Sequence, residues 1–358
     1  MRADRRDQRR ARKANGAQLG HDRLEGWGEA LRIATDGAAS RWQIVSAPTA
    51  EWTVAMAKNK KKSKQKKARA REIVVAVDGS APSDAAVQWA AREARFRSLP
   101  LKLVHIVGAP AVTRSLMDVP VAAEQWRATN AGEIVYGAAD LVRRTAEDAG
   151  TAVDIVGTEV YHSAPIPKLI ELSERATMIV VGSRGHGALR RGLLGSVSTG
   201  LVYGAHCPVA VIHDNAAPAA DAPVVVGIDG SPSSELATRI AFEEAAVRGV
   251  ELVAVHAWSD VDLREVAGVD WDEVAQRKVT LLDKRLSAWC KTYPDVTVRR
   301  VVVRDQPAVH LAEQADNAQL LVVGSRGRGG FAGLLLGSVS SMLAHYVQIP
   351  IIVARGGG

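Results

Sequence analysis

A chain of 358 residues with an apolar share of 47% is long enough for two domains of ordinary size. Its two cysteines, Cys207 and Cys290, exclude a disulfide framework and fit a reducing cytoplasm, and no apolar run nears the roughly 18 to 20 residues of a membrane span. The net charge of +7 is unevenly placed: residues 1–72 hold 19 Lys/Arg against 8 Asp/Glu and the remainder 27 against 31, so the basicity belongs to a tail and not to a nucleic-acid-binding globule.

Residues 1–55 show no sustained period of 2 or 3.6, and nine Lys/Arg between Lys58 and Arg71 form a run that cannot bury itself. Residues 1–72 therefore read as a disordered, solvated tail, with weak nucleic-acid contact as its functional reading and Met56 as an alternative natural start. Structured sequence begins at Ile73–Val77, an apolar strand ending in Asp78-Gly79-Ser80. The same pattern returns at Val224–Ile228 with Asp229-Gly230-Ser231. Pro82 or Pro232 then opens a helical stretch, and second strands follow at 101–107 and 251–258. The copies diverge at a connection that leads to helices near 123–149 and 274–291. Third strands at 152–158 and 296–303, short helices from Pro167 and Ala308, and apolar runs at 177–181 and 319–323 complete the match.

Each apolar run then breaks into a glycine loop. Gly182, Gly185 and Gly195-Ser196 have the spacing of Gly324, Gly327 and Gly337-Ser338, and a helical stretch follows for which a serine of the Ser196–Ser198 or Ser338–Ser340 run is a good N-cap candidate. A strand, a glycine loop and a helix N-terminus in succession favour an anion, because unpaired backbone N–H groups and the helix dipole point the same way. Each repeat closes with a Pro-led strand, from Pro208 and from Pro350. The units are therefore 73–213 and 224–355, joined by a linker at 214–223. Alternation of strand and helix predicts an α/β fold of two tandem five-stranded, doubly wound parallel-sheet domains, whose ligand crevices lie beyond the carboxyl ends of the strands. The terminal strands, apolar and able to pair edge to edge, are expected to join the domains antiparallel within the chain, with a homodimer as a further assembly.

The pattern G-x2-G-x9-G-[ST] resembles that of the nucleotide-binding universal stress proteins. The chain is similar to a tandem member over residues 73–355. The resemblance implies ATP, with or without Mg2+, as ligand. It sets Asp78 and Asp229 against the nucleoside, with the backbone of Ala76 and Ile106, or Gly227 and Ala257, at the base. It assigns the phosphates to Gly182, Gly185, Gly195, Ser196, Val197 and Ser198, and to Gly324, Gly327, Gly337, Ser338, Val339 and Ser340. At these glycines a Cβ would block a close approach or a positive φ. Arg184 and Arg326 are cations suited to phosphate. Asp78 and Asp229 also suit a second task, closing the Asp-Gly-Ser turn.

Other signals are weaker. The G-x-G-x-x-A at Gly327–Ala332 sits inside the longer motif and opens no helix after a first strand, and there is no Walker-type loop. His105 and His256 read as satisfied core histidines, and Cys207 as a small buried hydrophobe. His162, His186 and His206 lack metal spacing. The loop carries no duplicated carboxylate or histidine, since His186 answers to Arg328. A regulatory ATP-binding module is favoured over its alternative, a slow ATP hydrolase of the same fold.

Overall fold

The computed structural model describes residues 41–45, 53–54, 72–108, 121–150, 152–185, 194–214, 218–258, 271–328 and 336–356. Two short strands, β1 (Arg41–Val45) and β2 (Thr53–Val54), come first. The first repeat then runs β3 (Ile73–Val77), α1 (Ala81–Arg97), β4 (Leu101–Val107), α2 (Val121–Asp148), β5 (Ile155–His162), α3 (Pro165–Ser173), β6 (Met178–Gly182), α4 (Ser196–Gly204) and β7 (Val209–Ile212). The second runs β8 (Val224–Gly227), α5 (Pro232–Arg248), β9 (Leu252–Trp258), α6 (Trp271–Thr292), β10 (Val298–Arg304), α7 (Pro307–Ala315), β11 (Leu320–Gly324), α8 (Ser338–Tyr346) and β12 (Ile351–Ala354).

Local chemistry explains these boundaries. The helix α1 starts where Ser80 accepts from Ser83 N and Pro82 needs no hydrogen bond, and α5 starts the same way at Ser231. Both stop at a left-handed residue, Ser98 with φ 49° and Gly249 with φ 66°. The central strands are continuous Val/Ile/Leu runs because helices cover both faces. Side chains alternate between two cores, one beneath α1, α2, α5 and α6 and one beneath α3, α4, α7 and α8.

The strand order is β10-β9-β8-β11-β12-β7-β6-β3-β4-β5-β1-β2. Each five-stranded half is wholly parallel, with its switch point between β3 and β6 or between β8 and β11. The halves join where β12 meets β7 antiparallel, Ile351 opposite Val211, Ile352 opposite Ala210 and Val353 opposite Val209. Ala210 and Ile352 are equivalent positions of the two repeats, so a pseudo-twofold axis passes through that pair. The expected edge-to-edge joining is thus present within one chain. Two stretches of the basic tail also form strands: β1 pairs antiparallel with β5 and with β2. No periodic pattern in the sequence signals this edge addition.

Across the axis α1 meets α5 through two buried glutamates and two partly buried arginines that no motif had flagged. Arg97 pairs with Glu93 and Glu244, and also with Glu243 at 3.1 Å. Arg248 reaches Glu93 at 3.0 Å and Glu244 at 2.8 Å. Both Glu93 and Glu244 are fully buried. Burial and the neighbouring Glu244 carboxylate push Glu93 up to about 8, so it keeps its proton and donates to Glu244. Burial opposes ionisation of Glu244 as well, but Arg248 and Arg97 outweigh it and hold that carboxyl below its usual range. On the opposite face Tyr203 and Ser341 hydroxyls meet at 3.2 Å, and Arg355 donates to the carbonyls of Val202 and Ala205 at 2.8 and 2.9 Å.

Candidate functional site

Where β3 ends, Asp78 folds its side chain back over the turn. Its Oδ1 accepts from Ser80 N at 3.0 Å and Ser80 Oγ at 2.6 Å, while its backbone N–H donates to Ser83 Oγ at 3.1 Å. The turn passes through Gly79 at φ 79°, a conformation open chiefly to glycine. Asp229 repeats each contact: Ser231 N at 2.9 Å, Ser231 Oγ at 2.7 Å, and its own N–H to Ser234 Oγ at 3.1 Å, with Gly230 at φ 81°. Each aspartate closes its Asp-Gly-Ser turn, and this leaves Oδ2 directed at the glycine loop. In the second repeat Oδ2 accepts from Arg328 N at 3.0 Å.

Gly182, Gly185, Gly324 and Gly327 serve contacts within the protein, and none of the six motif glycines has a positive φ. A Cβ on Gly182 would lie 2.7 to 2.9 Å from the backbone of Pro82 and Ser83, and one on Gly324 would lie 2.8 to 2.9 Å from Ser233 and Ser234. These two glycines let the end of β6 or β11 touch the first turn of α1 or α5. A Cβ on Gly185 would strike Asp78 Oδ2, and one on Gly327 would sit 2.7 Å from Asp229 Oδ2. The positive-φ expectation is thereby corrected, and at Gly182, Gly185, Gly324 and Gly327 close approach is the reason for glycine.

The expectation that a serine of either run caps the last helix is corrected too. Gly195 and Gly337 are the N-caps, in extended conformation and with no side-chain cap bond, and Ser196 and Ser338 stand exposed in the first turn. The buried hydroxyl of Ser198 donates to the carbonyls of Gly182 at 2.9 Å and Ser183 at 3.1 Å, and that of Ser340 donates to Gly324. Together with Gly195 N–H to Ser183 O at 2.7 Å and Gly337 N–H to Ser325 O at 2.8 Å, these bonds clamp each loop mouth shut. The first N–H groups of α4 and α8 stay free of side-chain partners at the rim.

These segments enclose a cavity of about 510 Å³ in the first repeat. Ala76, Asp78, Ile106, Gly182, Arg184, Gly185, Gly195, Ser196, Val197 and Ser198 all line it. Sequence reasoning missed Val104, Pro165, Leu169 and Leu194, which form an apolar wall. Leu169 and Pro165 carried no signal because α3 reaches the crevice only after the crossover is folded. In the second repeat Gly227, Asp229, Ala257, Gly324, Arg326, Gly327, Gly337, Ser338, Val339 and Ser340 occupy the equivalent strand ends and loop positions. The absence of a side chain at Gly227, where the first repeat has Ala76, brings Leu311 close: a Cβ there would meet its Cδ1 at 3.0 Å. His186, Arg190 and Arg191 lie outside the described residues.

Charge at the rim differs between the repeats. Arg184 Nη2 pairs with Asp214 Oδ1 at 3.2 Å. Behind them His213 is pushed down to about 4 by burial and by Arg184, so it is neutral at pH 7. Arg326 is exposed, and its guanidinium has no hydrogen-bond or ion-pair partner among the described residues. His105 and His256 direct Nδ1 to the carbonyls of Val77 and Ile228, both at 2.7 Å, but the expectation of two satisfied core histidines is corrected: His105 is half-buried, and the buried Nε2 of His256 has no hydrogen-bond partner among the described residues. Cys207 is buried. Among the described residues no three His, Cys, Asp or Glu side chains gather to hold a metal ion, and no helix is long and apolar enough to cross a membrane.

The sequence profile of the universal stress protein family matches residues 69–213 and again 222–355. The chain belongs to the universal stress protein family. It is 50% identical over 287 residues to universal stress protein Rv2005c of Mycobacterium tuberculosis, a match covering 79% of this chain and 96% of that one. It is 45% identical over 286 residues to universal stress protein Rv2623 of the same organism, again covering 79% and 96%. A universal stress protein from Archaeoglobus fulgidus has the same tandem fold, with a TM-score of 0.55, 21% identity, and 81% of this chain and all of that one covered.

Proposed function

We propose that each repeat of this universal stress protein binds an adenine nucleotide, ATP in the first instance, and that the chain acts as a regulatory nucleotide-binding module. The observation that carries the reading is the convergence of all ten candidate residues of the first repeat on one cavity at the sheet's switch point. The cavity joins an apolar wall suited to a base, a carboxylate oxygen left over from the Asp78 turn, and a glycine-bounded helix N-terminus suited to phosphate. Asp78 would accept from the nucleoside. The N–H groups of Ser196 and Val197, the Ser196 hydroxyl and Arg184 would take the phosphates. In the second repeat Asp229, Ser338, Val339 and Arg326 take the same tasks.

Mg2+, where present, would ride on the phosphates and water, since among the described residues no acidic cluster is assembled to cage it. Binding is favoured over turnover for a specific reason. Asp78 is the one acid among the described lining residues, and its Oδ1 already closes a turn. A water-activating base is not otherwise supplied there. The test is denaturation of the purified chain and identification of the released small molecule, with calorimetric titration of the emptied protein. Adenine nucleotide in the supernatant and saturable ATP binding are expected. Release of no nucleotide together with no ATP binding would refute the reading.

A further inference from the structure

The two crevices repeat the same turn, glycine loop and helix start, and one of their differences lies at the charged rim. Counting from the terminal strands, β7 continues into His213-Asp214 and β12 into Arg355-Gly356. Asp214 is therefore the counterpart of Gly356. The first places a carboxylate 3.2 Å from Arg184 Nη2, whereas in the second no described residue pairs with the Arg326 guanidinium. The difference is fixed in the backbone: Gly356 has φ 100°, and a Cβ there would lie 2.6 Å from the carbonyl oxygen of His206. No aspartate fits that place. Arg184 itself lies beside the anion end, because its Cα would be 3.3 Å from a Cβ on Gly195, the N-cap of α4.

We infer that Asp214, the first residue of the linker, makes the two nucleotide sites unequal by competing with phosphate for Arg184. An incoming phosphate at the first site must displace or face a carboxylate already paired with the guanidinium. At the second site Arg326 meets phosphate uncontested. The second site is thus the tighter one for phosphorylated ligands, and Asp214 is a positioning residue that acts through Arg184. The inference rests on the nucleotide reading, and the Arg184–Asp214 pair, with side chains only 20% and 33% exposed, is open enough to be displaced by a ligand.

The test uses the full chain carrying Gly327→Val, which crowds Asp229 and closes the second site, titrated with ATP and with adenosine. Adding Asp214→Asn should tighten ATP roughly two- to fivefold, the range of a partly exposed ion pair, and leave adenosine unchanged. Asp214→Glu should restore the weaker value. With Arg184→Gln already present, Asp214→Asn should have no effect. Should Gly327→Val fail to fold, the chain without it is titrated instead, and Asp214→Asn should narrow the gap between two ATP affinities. ATP binding that weakens with Asp214→Asn, is indifferent to it, or changes alongside adenosine would overturn this inference alone. Absence of ATP binding at both sites of the folded chain without Gly327→Val would overturn the nucleotide reading and this inference with it.

Discussion

A methyl group at position 185 runs into the Asp78 carboxylate, and one at 327 into Asp229, so at these glycines the ligand-facing oxygen and the loop share one space. Gly185→Val and Gly327→Val should each remove binding at the local site by at least about tenfold while the other site persists, as read by calorimetric titration. Gly195→Ala is milder. Its methyl would meet Arg184 Cα at 3.3 Å and Ser183 O at 3.4 Å, contacts relieved by a shift of a few tenths of an ångström. Gly182→Ala acts on stability instead. It drives a Cβ into the Pro82–Ser83 backbone and should cost about 1–3 kcal/mol in denaturant unfolding. A cost below 0.5 kcal/mol would mean that β6 and α1 are not in contact. The glycines were legible in the sequence by their spacing, but their physical reason was not. It depends on Pro82 and Ser83, a hundred residues earlier in the chain, reaching the same point in space.

The first helix of each repeat has a turn-and-cap unit at its start. Ser80 caps α1 and also holds Asp78, so Ser80→Ala removes both contacts; it should cost about 1 kcal/mol of stability and weaken nucleotide binding at the first site. An unfolding change without any binding change would separate the cap from the site. Deleting residues 1–71 takes away β1 and β2 but none of the cavity lining, so the truncated chain should keep a cooperative melt and its nucleotide affinity. The strand and helix alternation made these elements readable, and Pro82 and Pro232 marked the start of the first helix of each repeat, but α3 and α7 begin at Pro165 and Pro307 and not at the expected Pro167 and Ala308. Size exchange between α3 and α4 was not readable. Ile166 and Ile170 press on Gly200 and Gly204 in the first repeat, whereas the equivalent positions of the second hold Ala308 and Ala312 on one helix and Met342 and Tyr346 on the other. The two members of each pair compensate only once the helices are packed. Met342 and Tyr346 remain 48% and 69% exposed.

For the molecule as a whole, the α1–α5 charge cluster makes stability depend on pH. The folded chain holds a proton on Glu93 up to about pH 8, whereas the unfolded chain releases it near the ordinary value of 4.5. The folded state then binds the extra proton between those values, so stability contributed by Glu93 is full below about pH 4.5 and is lost as pH rises through about 8. Glu93→Gln, which cannot ionise, should flatten this decline, as followed by chemical denaturation at pH 5, 7 and 9. An unchanged slope would show that Glu93 is not the group involved. Removing an arginine is harsher. Arg97→Met leaves a buried carboxylate short of its partner and should cost about 3–5 kcal/mol. The Glu-x3-Arg pair stands at the same place in both repeats, Glu93 and Arg97 in the first and Glu244 and Arg248 in the second, yet nothing in that spacing marks it as buried. Its burial followed only from the antiparallel meeting of β7 and β12, which turns the two helices toward each other.

The most direct test of two nucleotide sites built from two copies of one motif is calorimetric titration of the full, nucleotide-free chain with ATP. The expected result is two ATP per chain, falling to one with either Gly185→Val or Gly327→Val and to none with both. At an ATP concentration of about 100 times the dissociation constant, each filled site should add roughly 2.7 kcal/mol to its domain's stability. A stoichiometry that ignores these substitutions, or no binding by the folded parent chain, would contradict the account.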